Sequence, residues 1–164
     1  MGRALAAAMI ASVADTRGAS GWADLRARRS SSRGAQAACV HRLHADGANV
    51  VSADLDVRRA EATLSEWSDG TRTLAARTDV ADLRSVEALF ETARERFASV
   101  DGLVNSAGVR GVGSVLDTAR ELWRSNIAVN LEGSFHTSRV FGQAAVEHGT
   151  CLLYTSDAAD EKRW

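Results

Sequence analysis

One tyrosine and one lysine occur in the chain, Tyr154 and Lys162, eight positions apart. A tyrosine acts as a general acid/base near neutral pH only when a neighbouring cation draws its pKa down from about 10. On a helix, eight residues return to roughly the same face but lie about 12 Å further along the axis. Those two side chains therefore do not make an acid/base pair. Four other residues carry groups of the kind that can hold or orient a ligand. Asp54 follows the apolar run Asn49–Ala53, Asp79 follows Thr71–Ala76, Asn105 follows Val100–Val104, and Asn130 sits inside a helical stretch. A carboxylate accepts hydroxyl and amino hydrogens, whereas an asparagine amide both donates and accepts. Cys39 and Cys151 have no metal-ligand spacing and cannot make a disulfide framework. No metal is expected, and a reducing, cytoplasmic setting is the default.

The elements that must position these groups alternate. Ala37–Ala45 has a helical face with Ala38 and Leu43, and Asp46-Gly47 is a turn. Asn49–Ala53 is long enough for a buried strand. Val57–Ser68 is a charged helix closed by Asp69-Gly70, and Thr71–Ala76 is a weaker strand. Asp82–Phe97 is the clearest helix, with Leu83, Val86, Phe90, Ala93 and Phe97 on one stripe and Asp79 or Asp82 as its cap. Val100–Val104 is a third strand, followed by the glycine-rich loop Asn105–Gly113. Leu122–Ala145 is a long helix with Trp123, Ile127, Leu131 and Phe135 at i+4. Such alternation means βαβ units, a parallel sheet and helices on both faces.

With 164 residues there is room for one domain and one core. A net charge of −1 draws the chain toward neither nucleic acid nor an anionic membrane. No apolar run reaches the ~18 residues of a membrane span. Residues 1–36 show no clear period. Met1–Val13 has the outline of a short signal peptide cut after Ala14, set against an Ala-rich helical turn or a disordered leader. Asp24–Arg33 is a basic, serine-rich run that reads as a solvated segment rather than a nucleic-acid arm.

From residue 37 to 150 the chain resembles the short-chain dehydrogenase/reductase family. Asp101-Gly102-Leu103-Val104-Asn105-Ser106-Ala107-Gly108 is similar to its D-x-L-V-N-N-A-G, with Ser106 in place of the second Asn. Asn130-Leu131-Glu132-Gly133-Ser134-Phe135 resembles its N-L-x-G-x-F, Asp79-Val80 its D-V, and Gly47 to Asp54 its second strand. The resemblance implies an α/β fold, a doubly wound parallel (Rossmann-like) sheet that binds a nicotinamide cofactor outside the carboxyl ends of its strands. It implies cofactor-binding roles for Asp54, Asp79, Val80, Asn105, Ala107 and Gly108, and a proton-relay role for Asn130. Asp54 would accept from the adenosine ribose and repel a 2′-phosphate, which favours NAD over NADP. Asn105 is expected to bridge neighbouring strands with its amide, and Ala107 and Gly108 to let the backbone approach the cofactor.

The chain departs from that pattern at both ends. The family's T-G-x-x-x-G-x-G should cover Arg29–Gln36, but the residues are RSSSRGAQ, and no first strand is evident before them. Gly18-Ala19-Ser20-Gly21 imitates the motif too far upstream. A one-base slip in the gene accounts for this: Val-Thr-Gly coded as GTC-ACG-GG reads Ser-Arg one base late, as at Ser32-Arg33. Residues 1–36 are accordingly expected to be irregular and out of frame, 37–150 to be a partial NAD(P)-binding domain, and 151–164 to be a non-native tail. Cys151–Glu161 resembles the translation of a transposon-end adapter used in DNA library preparation. The family's catalytic Ser, Tyr and Lys would fall at about 157, 170 and 174, near or past the last residue, Trp164. Ser156 lies close to the first slot, since Thr150–Ser156 can pass for the fifth strand, a match that is partly coincidence. The expected function is a fragment of an oxidoreductase that moves hydride between nicotinamide and a small-molecule alcohol/ketone pair, inactive as written, whose parent is a homo-oligomer. The alternatives are a non-catalytic nucleotide-binding or interaction domain and a defective reading frame without function. In the oligomer reading, Leu122, Val129, Val140 and Phe141 of the long helix stay uncovered.

Overall fold

Val50–Asp54 (β2) is buried at all five positions, as a short apolar run must be when helices cover both faces. The computed structural model describes residues 8–12, 30–67, 70–109 and 113–148, with 8–12, 30–35 and 148 as backbone alone. Thr73–Arg77 (β3) lies on one side of β2 and Ala8–Ser12 (β1) on the other, and Gly102–Asn105 (β4) pairs with the far edge of β1. All three pairings are parallel.

The innermost position of β1 corrects the expectation that the first strand is missing. It pairs with β2 from Ala8↔Val50 to Ser12↔Asp54 and with β4 from Ala8↔Gly102 to Ala11↔Asn105. An apolar run of this length has no distinct period, so pattern alone does not separate a buried strand from a helical turn or a signal-like segment. Partners on both edges decide it. The helix that follows, Ser30–Ala45 (α1), begins well before Ala37 and takes in the serine-rich stretch that was expected to be irregular.

Side-chain alternation sorts the core into two faces. Val50, Ala75 and Val104 pack with Val40 of α1 and with Leu64 of Val57–Leu64 (α2). Val51, Ala53, Leu74, Ala76 and Leu103 pack on the opposite side, against Leu83–Phe97 (α3) and Phe141. The apolar stripe of α3 is the interior one, with Val86, Phe90 and Ala93 buried and Phe97 partly so. Asp82 caps this helix, its carboxylate accepting from the Arg84 amide at 3.0 Å. Gly47, at φ +90°, stops α1. Its amide donates to the His44 carbonyl while Ala48 donates to Leu43, the paired bonds of a Schellman ending.

The long helix expected over Leu122–Ala145 is continuous but not uniform. Arg120–Asn126 (α4) runs into a wider π-helical stretch, Ile127–Glu132, and then into Gly133–His148 (α5). Its exposed side is the reverse of the expected one. Phe141 is buried and Val129 and Val140 pack against core clusters. Trp123, Leu131 and Phe135 of the i+4 stripe are instead about three-fifths exposed (61%, 63% and 59%). An α-helix returns every 3.6 residues, so an i+4 series drifts around it. Only the core-facing positions of that drift are covered.

Because β1 stands between β2 and β4, the chain builds outward to β3, then crosses back past β1 to begin β4. In such sheets the crevice outside the carboxyl ends, at this reversal, is where ligands bind.

Candidate functional site

Three loops leave the carboxyl ends of β2, β3 and β4, and every sequence-predicted site residue from Asp54 to Asn130 belongs to these loops or to the helix beside them. Asp54 ends β2 and is buried rather than being a surface turn residue. Its Oδ1 accepts from the Asp56 amide at 2.9 Å, and its carbonyl accepts from the Thr78 amide at 2.9 Å. That second bond ties the end of β2 to the residue just before Asp79.

Asp79 folds its own loop. Its Oδ1 accepts from the Ala81 amide at 2.9 Å, and its backbone N–H donates to Ser85 Oγ of α3 at 3.0 Å. Val80 is buried under α5. A Cβ on Gly133 would lie 2.6 Å from Val80 Cγ2, so only glycine lets the helix come this close. The Val80 carbonyl lies 2.9 Å from His136 Nδ1. A carbonyl oxygen only accepts, so the hydrogen is on Nδ1.

Asn105 was expected to bridge strands, and the structure corrects this. Its Oδ1 accepts from Thr137 Oγ1 at 2.7 Å and its Nδ2 donates to Ser138 Oγ at 3.2 Å, both on α5. The pleat gives the reason: Asn105 shares the face of Leu103, which looks toward α5. Beyond it, Ala107 packs with Val80 and Val109. Gly108 lies beside Asn130, whose Oδ1 a Cβ there would meet at an ordinary 3.5 Å.

Asn130 uses both ends of its amide on one residue. Oδ1 accepts from the Val109 N–H and Nδ2 donates to the Val109 carbonyl, each at 2.8 Å. This bracket replaces the strand partner that the loop has left behind, and it is why a poor helix former is held mid-helix. The π-helical stretch Ile127–Glu132 surrounds it. The Asn130 carbonyl accepts the Ser134 hydroxyl at 2.9 Å.

Sequence reasoning missed His136, Thr137, Ser138 and Ser85. A signal was present for the helical ones: Gly133, His136 and Thr137 follow Asn130 at intervals of three and four, and so return toward its face. Tyr154, Ser156, Lys162 and Gly18–Gly21 lie outside the described residues.

The donor set fits the adenosine end of a dinucleotide. One carboxylate ends β2 and the other stands in the loop just past β3, a tightly held loop with a buried apolar residue, Val80. At the phosphate end, Gly34 and Gln36 lie within α1. Gln36 is buried and donates to Ser52 Oγ of β2 at 3.4 Å. A side chain thus fills the place where the last glycine of the expected motif would let helix and strand meet closely.

Comparison with known proteins gives the same architecture. The family profile described as enoyl-(acyl carrier protein) reductase matches residues 30–163. A short chain dehydrogenase/reductase, dpmpG, of Macrophomina phaseolina is 37% identical over 126 residues, which cover 72% of this chain and 71% of that protein. The meso-2,3-butanediol dehydrogenase of Serratia marcescens is 30% identical over 74% of this chain and 48% of its own length. A solved short-chain dehydrogenase/reductase from Serratia marcescens superposes with a TM-score of 0.67 at 28% identity, covering 84% of this chain and 50% of that one. The chain spans about half the length of that dehydrogenase and of that solved structure.

Proposed function

The chain belongs to the short-chain dehydrogenase/reductase family, and from that membership we propose that it is part of an NAD(P)-dependent oxidoreductase acting on a small-molecule alcohol or ketone. The observation that carries this reading is the bracket of Asn130 on Val109, a residue that packs in one cluster with Leu55 and Val80, the chain neighbours of Asp54 and Asp79. It joins the amide expected to serve a proton relay to the loops expected to hold the cofactor. When bound, the cofactor supplies the hydride chemistry. Asp54 and Asp79 would hold its adenosine end. Asn105, tied to α5, and the Ala107-Gly108 backbone would flank it further along. Asn130 spends its side chain on the loop, which leaves its main-chain carbonyl, shared with Ser134, as the group for a relay water.

A carboxylate at Asp54 favours NAD over NADP, because a 2′-phosphate would meet like charge without a partner. β1 and α1 carry the start of the domain upstream of residue 37, and its limit at 150 and a non-native tail at 151–164 belong to this reading. So do a homo-oligomeric, cytoplasmic parent and the absence of nucleic-acid and membrane partners. No described helix is long and apolar enough to cross a membrane.

The test is to purify residues 1–164, follow NADH absorbance across a panel of alcohols and ketones, and titrate NAD by calorimetry. No turnover and weak NAD binding are expected. Turnover that Tyr154→Phe abolishes would overturn the inactive reading, and absence of any NAD binding would overturn the adenosine site.

A further inference from the structure

We propose that His136 is a positioning residue for the adenosine end of the cofactor, acting through the carbonyl of Val80; this rests on the reading of Asp54 and Asp79 given above. The Asp79–Ala81 loop is fixed from three directions. Asp79 accepts from its own Ala81 amide, Ser85 of α3 accepts the Asp79 N–H, and His136 of α5 donates to the Val80 carbonyl. Of these, only the His136 bond joins the loop to the helix that also carries Asn130's neighbours and holds Asn105. It therefore sets the height of the Asp79 carboxylate relative to the rest of the crevice. Gly133, one turn earlier, allows the approach, and His136 fixes it.

The bond is made by Nδ1, the nitrogen next to the ring's attachment point. Both the neutral Nδ1–H tautomer and the imidazolium keep that hydrogen, so the clamp does not depend on the charge of the ring. Geometry then separates two replacements. An asparagine amide nitrogen sits where Nδ1 does and can restore the bond, while a glutamine amide nitrogen sits where Nε2 does and cannot. A role limited to filling space would not distinguish the two in that order.

The experiment measures AMP and nicotinamide mononucleotide binding to residues 1–164 by ligand-observed NMR, for the wild type and for His136→Asn, His136→Gln and His136→Phe. Loss of one hydrogen bond predicts AMP binding weakened roughly three- to tenfold in the Gln and Phe variants. AMP binding within twofold of wild type is expected for Asn. Nicotinamide mononucleotide affinity is expected to be unchanged in all three. Unaltered AMP binding in the Phe variant, or an Asn variant as weak as Phe, overturns the proposal while leaving the adenosine site standing. If Phe fails to fold, the Asn and Gln pair still decides: equal AMP affinity in the two overturns the proposal, and weaker binding in Gln alone supports it. A wild-type chain that binds no AMP removes the adenosine site and the proposal with it.

Discussion

Thr78 carries a hydroxyl that is buried and has no hydrogen-bond partner among the described residues. It stands one residue before Asp79, and its backbone amide already donates to Asp54. A buried hydroxyl without a partner costs about 1–3 kcal/mol of desolvation. Thr78→Val keeps the branched shape and removes the oxygen. It should raise stability by about 1 kcal/mol, seen as a thermal midpoint about 2–4 °C higher for a chain of this size. A lower midpoint would mean that the hydroxyl has a partner. At this scale the sequence was informative about where the polar residues stand along the chain and silent about whom they touch. The positions of Asp54, Asp79 and Asn105 were legible because they follow strand runs, and that of Asn130 because an asparagine stands inside a helical stretch. The partner of Asn105 depends on the rotation of a helix more than thirty positions away, which no local pattern encodes.

Contact between α5 and the loop after β3 is close at Gly133, where an added Cβ would lie 2.6 Å from Val80 Cγ2. Gly133→Ala would press a methyl group into Val80, a buried residue whose branched side chain has little freedom to move. Overpacking of this kind costs about 1–3 kcal/mol. Val80→Ala alone opens space and is also destabilising, but the double variant should recover part of the loss. A double-mutant cycle in urea reads the coupling, and strictly additive effects would show that α5 shifts freely. The helices themselves were legible wherever one stripe met one core, as in α3. The long helix was not, because it carries apolar residues on more than one side. Periodicity reports that a stripe exists, not which stripe faces inward. The π-helical stretch left no mark in the pattern.

At the scale of the molecule, the exposed series Trp123, Leu131 and Phe135 is joined by Val115 and Leu116, both 95% exposed. An uncovered apolar band of this kind favours association. The chain should therefore run larger than a monomer in size-exclusion chromatography at high concentration, and Leu131→Glu should shift it toward the monomer without loss of helical circular dichroism. A sharply monomeric wild type would refute this. Most of the architecture was readable from the alternation of helices and strands after Ala37. The first strand was not, since its identity depends on neighbours that arrive much later in the chain.

Those late arrivals also set the order in which the protein can assemble. β1 forms one rail with β2 and another with β4, so the sheet cannot close until Ala8 meets Gly102. Bringing such distant segments together costs loop entropy before any pairing energy is returned, which slows folding. During synthesis β1 must wait, with one edge still unpaired, until β4 has emerged. Native-state hydrogen exchange should then find its amides among the last to open, because both of its edges are paired.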